Sequence, residues 1–374
     1  MGRLTFARTR RADVAVLSRN LELWPVFREV VAGMEVLELE TIKTPLNVRD
    51  ALRIVRHVLI GKASLGYASM AAQLQRSGVK VLLAVDQTSQ VVEELGRLLP
   101  ELRQVVIAHG SMRSSTLRAH LLRARFNRVL CVWGKADQAV YGELTNVPVK
   151  SVVVGSLRNA GYLRTRRSGS IETKSTILLI SQYSGREIAG AEPMTKREEI
   201  LYSLQQLLRR YCIERSVELT IALRPPVSAP NTPTQVSEER EYFKNVFSGV
   251  QIRYTDSSQQ YASYLACDGA EVTVGVPTGT VTESFARGNK SLMCRQRPET
   301  GDFYGFPIDG PWLLTEPTYD EFATRLDALR AMRREEWAAS CKREREYMVA
   351  NADSDEPIRL VRELLERAVR EEVL

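Results

Sequence analysis

Short runs of apolar, mostly β-branched residues alternate along this chain with longer segments whose apolar residues recur at helical spacing. The run Val79–Val85 is typical of a buried strand, whereas Leu52, Val55 and Leu59 recur as on one face of a helix. Regular alternation of strands and helices predicts a mostly parallel sheet with helices on both faces. Because a second alternating series follows the first, the pattern predicts an α/β protein with two doubly wound domains.

A basic stretch containing glycine and serine, without periodicity, separates the two series. We therefore predict an N-terminal domain over residues 1–158, a linker over 159–174 and a C-terminal domain over 175–350. The chain length of 374 residues also favours about two domains. The segment 351–374 carries a final amphipathic helix, and two roles remain open for it: packing back on the first domain, or an oligomer contact.

Polar or small residues follow several predicted strands of the first domain. Asp86 follows Val79–Val85, and His109 follows the strand predicted over Gln104–Ala108. In open parallel sheets, ligands bind outside the carboxyl ends of the strands. We therefore expect Asp86 and His109 to line one crevice.

The segment Val272–Lys290 predicts a strand, a tight turn and a helix that ends near Gly288, with Thr280 or Thr282 as its N-cap. A helix start beside a small-residue turn offers free backbone N–H groups and the positive end of the helix dipole. This arrangement suits a phosphate or diphosphate. An ordinary strand–helix unit without a ligand is the alternative.

Charge and composition reduce the number of partners and kinds of site that the chain could have. The net charge is +7, with arginine clusters but no aromatic RNA-binding motif, so we expect no nucleic-acid partner. Attraction to an anionic membrane surface or to a phosphate-bearing substrate stays open beside ordinary solvated surface charge. Five scattered cysteines and three histidines argue against structural zinc and a disulfide framework. Without a membrane span or a signal peptide, the sequence predicts a cytoplasmic protein.

Seven short stretches carry a resemblance to a known family: Val81–Asp86, Val105–Gly110, Val129–Tyr141, Val152–Leu157, Tyr261–Leu265, Thr278–Lys290 and Tyr319–Trp337. They resemble bacterial surface-carbohydrate biosynthesis proteins of GT-B glycosyltransferase type and, more distantly, CDP-glycerol glycerophosphotransferases. The resemblance implies two Rossmann-like domains facing a cleft, an acceptor-side N-terminal domain and a nucleotide-donor C-terminal domain. Arg224-Pro225 departs from the His-Pro of many relatives.

The resemblance also implies roles for individual residues. His109 is the expected base, and Asp86 is either the rival base or the group that orients His109. Arg224 and Lys290 would stabilise the departing phosphate. The remaining expected donor contacts are Ser181, Gln182, Tyr183, Thr278, Gly279, Thr280 and Glu283. We expect neither a metal ion nor a cofactor, since the nucleotide sugar is a substrate.

The function implied is transfer of a sugar from a nucleotide-activated donor to a growing bacterial surface polysaccharide of capsule or O-antigen type. The acceptor would be a glycan or a lipid-linked glycan. Peripheral contact with the inner face of the membrane, or with other assembly enzymes, stays open. The alternatives are a polyol-phosphate or sugar-phosphate transferase with a CDP-linked donor, a UDP-sugar 2-epimerase, and a non-catalytic assembly subunit.

Overall fold

The computed structural model divides the chain into two compact units, residues 1–161 with 354–374, and residues 162–353. It describes residues 11–17, 23–39, 48–85, 89–110, 128–143, 149–166, 174–183, 196–223, 233–256, 259–295 and 308–372.

The first unit is built on a parallel sheet. Its elements are β1 (Val14–Leu17), α1 (Trp24–Val30), β2 (Val36–Glu38), α2 (Val48–Leu59), α3 (Leu65–Ser77), β3 (Val81–Val85), α4 (Gln90–Leu98), β4 (Arg103–Ile107), β5 (Arg128–Val132), α5 (Lys135–Glu143) and β6 (Val149–Val153). The helix α6 (Leu157–Thr165) follows. The six strands are ordered β2-β1-β3-β4-β5-β6, and every pairing is parallel.

Both faces of this first sheet are covered. In β3, Val81 and Leu83 belong to the apolar core on one face, whereas Leu82 and Ala84 belong to the core on the other. Successive side chains of a strand point to opposite faces. A parallel strand buried on both faces is therefore continuously apolar, which explains the runs seen in the sequence.

The second unit repeats this plan. Its elements are β7 (Lys174–Ile180), α7 (Lys196–Arg215), β8 (Leu219–Ala222), α8 (Pro233–Val246), β9 (Ile252–Tyr254), α9 (Ala262–Gly269), β10 (Ala270–Gly275), α10 (Gly279–Ala286), β11 (Ser291–Arg295), β12 (Leu313–Thr315), α11 (Tyr319–Ala331), α12 (Arg334–Ser340) and α13 (Lys342–Met348). The strands are ordered β12-β11-β10-β7-β8-β9, again parallel throughout. Two doubly wound α/β domains are thus confirmed.

The last helix, α14 (Glu356–Val369), belongs to the first unit. Val361 and Leu365 are fully buried in the core that also contains Phe27 of α1. Arg103, at the start of β4, donates a 2.6 Å hydrogen bond from Nη1 to the carbonyl of Ala368. This bond satisfies one of the last carbonyls of the helix, which lack partners within the helix itself.

A buried charge network stabilises the second unit. The Asp268 carboxylate, at the end of α9, accepts hydrogen bonds from Tyr162 Oη at 2.7 Å, Asn289 Nδ2 at 2.8 Å and Arg287 Nε at 3.0 Å. Burial disfavours the charged carboxylate, but Arg287 and the hydrogen-bond donors outweigh burial, so the pKa of Asp268 is lowered. Arg334 of α12 adds a bond to the backbone carbonyl of Asp268.

Local structure differs from the sequence prediction in the linker and at the start of α10. The segment expected to be an irregular linker begins with α6, where Ala160 and Tyr162 are buried. The helix α10 begins two residues earlier than expected, and Thr278 is its N-cap. Its predicted end is confirmed: Gly288 has φ of +87°, and Asn289 N–H bonds back to the carbonyl of Ser284.

Candidate functional site

The order of strands in the second unit reverses between β7 and β10. From β7 the chain proceeds to β8 and β9 on one side of the sheet, whereas β10, β11 and β12 lie on the other side. Leu179 of β7 pairs with Val274 of β10, so these two strands end side by side. The residues that follow them are therefore neighbours at the carboxyl edge, at the switch point where doubly wound sheets bind ligands.

Thr278 places at this edge a hydroxyl group without a hydrogen-bond partner among the described residues. It is the N-cap of α10, with φ of −111° and ψ of 169°, but its side chain makes no capping hydrogen bond. In the part of the chain that the structure describes, its buried Oγ1 has no hydrogen-bond partner. A buried hydroxyl without a partner is costly. A ligand oxygen at the start of α10 would accept a hydrogen bond from this hydroxyl and remove that cost. The helix dipole favours an anion at the same position, as do the first N–H groups of the helix, which include those of Gly279 and Thr280.

The loop after β7 is held by α8. Ser181 donates a hydrogen bond from Oγ to Glu239 Oε1 and accepts one from the Tyr183 N–H at 3.2 Å. The Tyr183 ring packs 5.2 Å from the ring of Tyr242. Gln182 donates from Nε2 to the Ser181 carbonyl at 2.8 Å. The residues from Ser181 to Tyr183, which directly follow β7, are thus held in place by these contacts.

Sequence reasoning missed Glu239 and Tyr242, which position this loop. Glu239 and Tyr242 lie on α8, the helix that follows the Pro/Ser/Thr-rich segment. Glu239 is 58 residues from Ser181 along the chain. No local pattern connects two residues at such a separation.

Glu283 lies one turn into α10 and is almost fully buried. Its Oε2 accepts a hydrogen bond from Tyr264 Oη. The guanidinium of Arg287 stacks over the Tyr264 ring at 4.9 Å. Glu283 therefore joins α10 to α9 from the interior of the unit.

Lys290 is not brought to the carboxyl edge. It immediately precedes β11, at the amino-terminal end of that strand, because α10 runs back along the sheet. Its Nζ donates to the carbonyls of Arg330 at 3.2 Å and Met332 at 3.0 Å. Burial lowers the pKa of the ammonium group. These bonds fasten the C-terminal end of α11.

In the first unit, His109 follows β4 and is exposed. Trp133 follows the neighbouring strand β5, and its Nε1–H donates to the Ala108 carbonyl at 3.2 Å. The Trp133 N–H donates to Asp137 Oδ2 of α5 at 3.3 Å. The residue before His109 is thus braced by the next strand and its helix. Asp86 lies outside the described residues, as does Arg224 of the second unit.

In the described ranges, no three His, Cys, Asp or Glu side chains are grouped so as to hold a metal ion. One Asp-x-Asp triplet occurs, Asp353–Asp355, and it precedes α14 rather than following a strand. None of the helices in those ranges combines the length and the apolar run that a bilayer crossing requires.

Two parallel six-stranded sheets with flanking helices form a two-domain α/β fold of GT-B type. Solved structures share this fold. The UDP-GlcNAc 2-epimerase of Methanocaldococcus jannaschii is 13% identical, with 94% of this chain and 99% of the epimerase covered and a TM-score of 0.52. A glycosyltransferase from Rickettsia africae is 12% identical, with 98% and 100% covered and a TM-score of 0.51. The wall teichoic acid polymerase TagF is 8% identical, with 96% and 90% covered and a TM-score of 0.51.

The family is given by sequence. Residues 132–356, more than half of the chain, match a family model described as "putative O-antigen biosynthesis protein". The chain belongs to this family, as its resemblance to surface-carbohydrate biosynthesis proteins predicts. No curated protein matches the sequence significantly.

Proposed function

We propose that the protein is a metal-independent glycosyltransferase that moves a sugar from a nucleotide-activated donor to a growing bacterial surface polysaccharide. Membership of the O-antigen biosynthesis family supports the class of polymer. The observation that carries the donor site is the unpartnered Thr278 hydroxyl at the switch point between β7 and β10.

The proposed donor site accounts for leaving-group stabilisation without a metal. The departing nucleotide carries new negative charge on its phosphate, and preorganised donors at that position lower the barrier. The Thr278 hydroxyl and the N–H groups of Gly279 and Thr280 would bind the phosphate, with Ser181 to Tyr183 forming the neighbouring wall. Arg224, which follows β8, completes the proposed donor contacts. Glu283, expected from the sequence to be a further donor contact, is not included because it is bonded to Tyr264 in the interior of the unit.

The acceptor would be activated by a base from the first unit. His109 is the proposed base because an imidazole has an ordinary pKa near neutrality and the side chain is exposed at the end of β4. Asp86 is proposed as its partner or rival at the end of β3. The acceptor is proposed to be a glycan or a lipid-linked glycan.

Calorimetric titration of the full chain with CMP, CDP, UDP, GDP and dTDP tests the donor site. We expect one nucleotide to bind and Thr278→Val to weaken it about tenfold, since a hydrogen bond to a charged group is worth roughly 1.5–3 kcal/mol. Thr220→Val, the same substitution near the amino end of β8, is the matched control and should leave the affinity unchanged. Absence of binding by every nucleotide would contradict the proposal and favour a non-catalytic assembly subunit.

The reaction is tested by its products. The donors are sugars activated by the nucleotide that the titration identifies. Glycosyl transfer yields a free nucleotide and an acceptor that gains a sugar without phosphate, whereas polyol-phosphate transfer from a CDP-linked donor yields CMP and an acceptor that gains phosphate. A 2-epimerase changes the donor with no acceptor present. We expect His109→Ala to keep the nucleotide affinity and to lose at least a hundredfold in turnover, the ordinary size of a general-base contribution.

A further inference from the structure

The helix α2 and the turn that joins it to α3 display apolar side chains to solvent. Five large hydrophobic side chains between residues 52 and 65 are exposed: Leu52 by 66%, Val55 by 51%, Leu59 by 73%, Ile60 by 76% and Leu65 by 68%. The first three are the residues whose spacing predicts the helix. An amphipathic helix normally turns such a stripe toward the core. We call these five residues the α2 apolar face.

Packing against α3 and α4 holds this face outward. Ile54, on the opposite side of α2, is buried against Ala68 and Ala72 of α3. Asp50, at the start of α2, is buried and pairs with Arg76 of α3 at 2.6 Å. His57 Nε2 lies 3.3 Å from Gln75 Oε1. The two helices therefore form a hairpin whose apolar core is already filled without the α2 apolar face.

The tip of the hairpin is also rigid. A Cβ on Gly61 would lie 2.6 Å from the carbonyl oxygen of His57, so the turn requires glycine. Arg97 of α4 donates to the Gly61 carbonyl. Leu59, Ile60 and Leu65 thus project from a fixed turn.

Cations border the α2 apolar face. Arg56 and Lys62 are exposed, and Arg53 is half-buried with its guanidinium 3.7 Å from Asp50. The Asp50 carboxylate itself is 1% exposed. Long basic side chains beside an apolar stripe can place their charges among lipid headgroups while their methylenes follow the apolar chains.

We propose that the α2 apolar face docks on a lipid bilayer that contains anionic lipids. Exposed aliphatic residues rimmed by cations match the apolar interior and the negative surface of such a membrane. A second copy of the chain is a poorer match. In a two-fold contact the same patch faces itself, so the positive charges of Arg56 and Lys62 would be brought close to the positive charges of the other copy. This inference does not depend on the nucleotide site.

Vesicle co-sedimentation of the full chain tests the proposal. The vesicles are phosphatidylcholine alone, or phosphatidylcholine with one third phosphatidylglycerol. We expect binding to the anionic vesicles that weakens with salt, and weak binding to the neutral ones. The double variant Leu59→Ser/Ile60→Ser should reduce partitioning at least tenfold, because each methylene withdrawn from lipid costs about 0.8 kcal/mol. Arg56→Gln/Lys62→Gln should reduce the salt-dependent part.

Ile213→Ser is the matched control, because Ile213 is 45% exposed on α7 of the second unit. It should sediment as the unchanged chain does. The proposal is overturned if the unchanged chain does not bind anionic vesicles. It is also overturned if the double variant Leu59→Ser/Ile60→Ser binds them as strongly as the unchanged chain does. It is also overturned if light scattering shows a dimer that the double variant dissociates while vesicle binding is absent. Equal melting temperatures for all variants establish that each is folded.

Discussion

At the scale of single residues, Asp268 forms a buried ion pair with Arg287 in the second unit. Its carboxylate is 3% exposed and lies 3.0 Å from the guanidinium of Arg287, which is 4% exposed. A lowered pKa in the folded state means that this carboxylate stabilises the fold above its unfolded pKa, near 3.8. That contribution is lost as the pH falls through the folded-state pKa.

We predict that Asp268→Asn lowers the free energy of unfolding by roughly 3–5 kcal/mol at neutral pH, because Arg287 keeps its buried charge without a carboxylate partner. The free energy of unfolding of the variant should also depend less on pH in the acid range than that of the parent chain. The slope of this free energy against pH should be smaller by the equivalent of up to one proton. Urea unfolding at several values between about pH 3 and pH 7 measures both effects. Asp327→Asn, whose carboxylate is 41% exposed, is the control and should lose much less. An unchanged pH slope would contradict the role of Asp268.

Lys290 can be tested for a structural role against the phosphate contact that the sequence predicts. Its ammonium binds the carbonyls of Arg330 and Met332, and it lies at the amino end of β11. We predict that Lys290→Met, which keeps most of the aliphatic chain, costs about 1–3 kcal/mol of stability. The nucleotide dissociation constant should not change. If Lys290→Met instead bound the nucleotide tenfold more weakly and kept its stability, the phosphate contact expected from the sequence would be supported.

At the scale of secondary-structure elements, α14 completes the core of the first unit. Leu365 is fully buried in that core, whereas Glu363 lies on the exposed side and pairs with Arg359. We predict that Leu365→Ala lowers the free energy of unfolding by roughly 2–5 kcal/mol, the range for a buried leucine. Glu363→Ala on the same helix should leave it nearly unchanged. If a urea titration showed that Leu365→Ala has as small an effect as Glu363→Ala, the result would contradict a role of α14 in packing.

The strands were predictable from sequence because parallel sheets bury both faces of each strand. Val79–Val85 and Gln104–Ala108 predict β3 and β4 to within two residues. The helix α6 was not predictable in the same way. Its buried residues Leu157, Ala160 and Tyr162 are interspersed with arginine and glycine, so no apolar stripe continues through the basic segment.

The candidate site was predictable only as far as local rules reach. Parallel strands end at one edge, so Ser181 and Thr278 could be assigned to the same region from their positions after two strands. Lys290 follows Thr278 closely in sequence, but α10 carries the chain back across the sheet before Lys290 is reached. The exposure of Leu52 and Leu59 was equally hidden, because a stripe in the sequence does not say which way the helix turns it.

At the scale of the whole molecule, the two units differ in how the chain builds them. The second unit is continuous, from Tyr162 to Asp353, whereas the first takes its last helix from the C-terminal segment. The proposed donor contacts of the second unit, including Ser181 and Thr278, all lie within its continuous stretch. Loss of the C-terminal segment should therefore affect the two units unequally.

We predict that a chain truncated after Asp353 keeps its nucleotide affinity within about threefold, a difference of less than 1 kcal/mol. The same truncation exposes the apolar surface around Phe27 and Val30 that α14 covers, so the first unit should bind a hydrophobic dye and unfold at a lower temperature. Calorimetric titration and a thermal scan measure the two effects, with Leu365→Ala as an intermediate case. Loss of nucleotide binding on truncation would mean that the donor site needs more than residues 162–353, whereas an unchanged melting temperature would mean that α14 does not complete the core of the first unit.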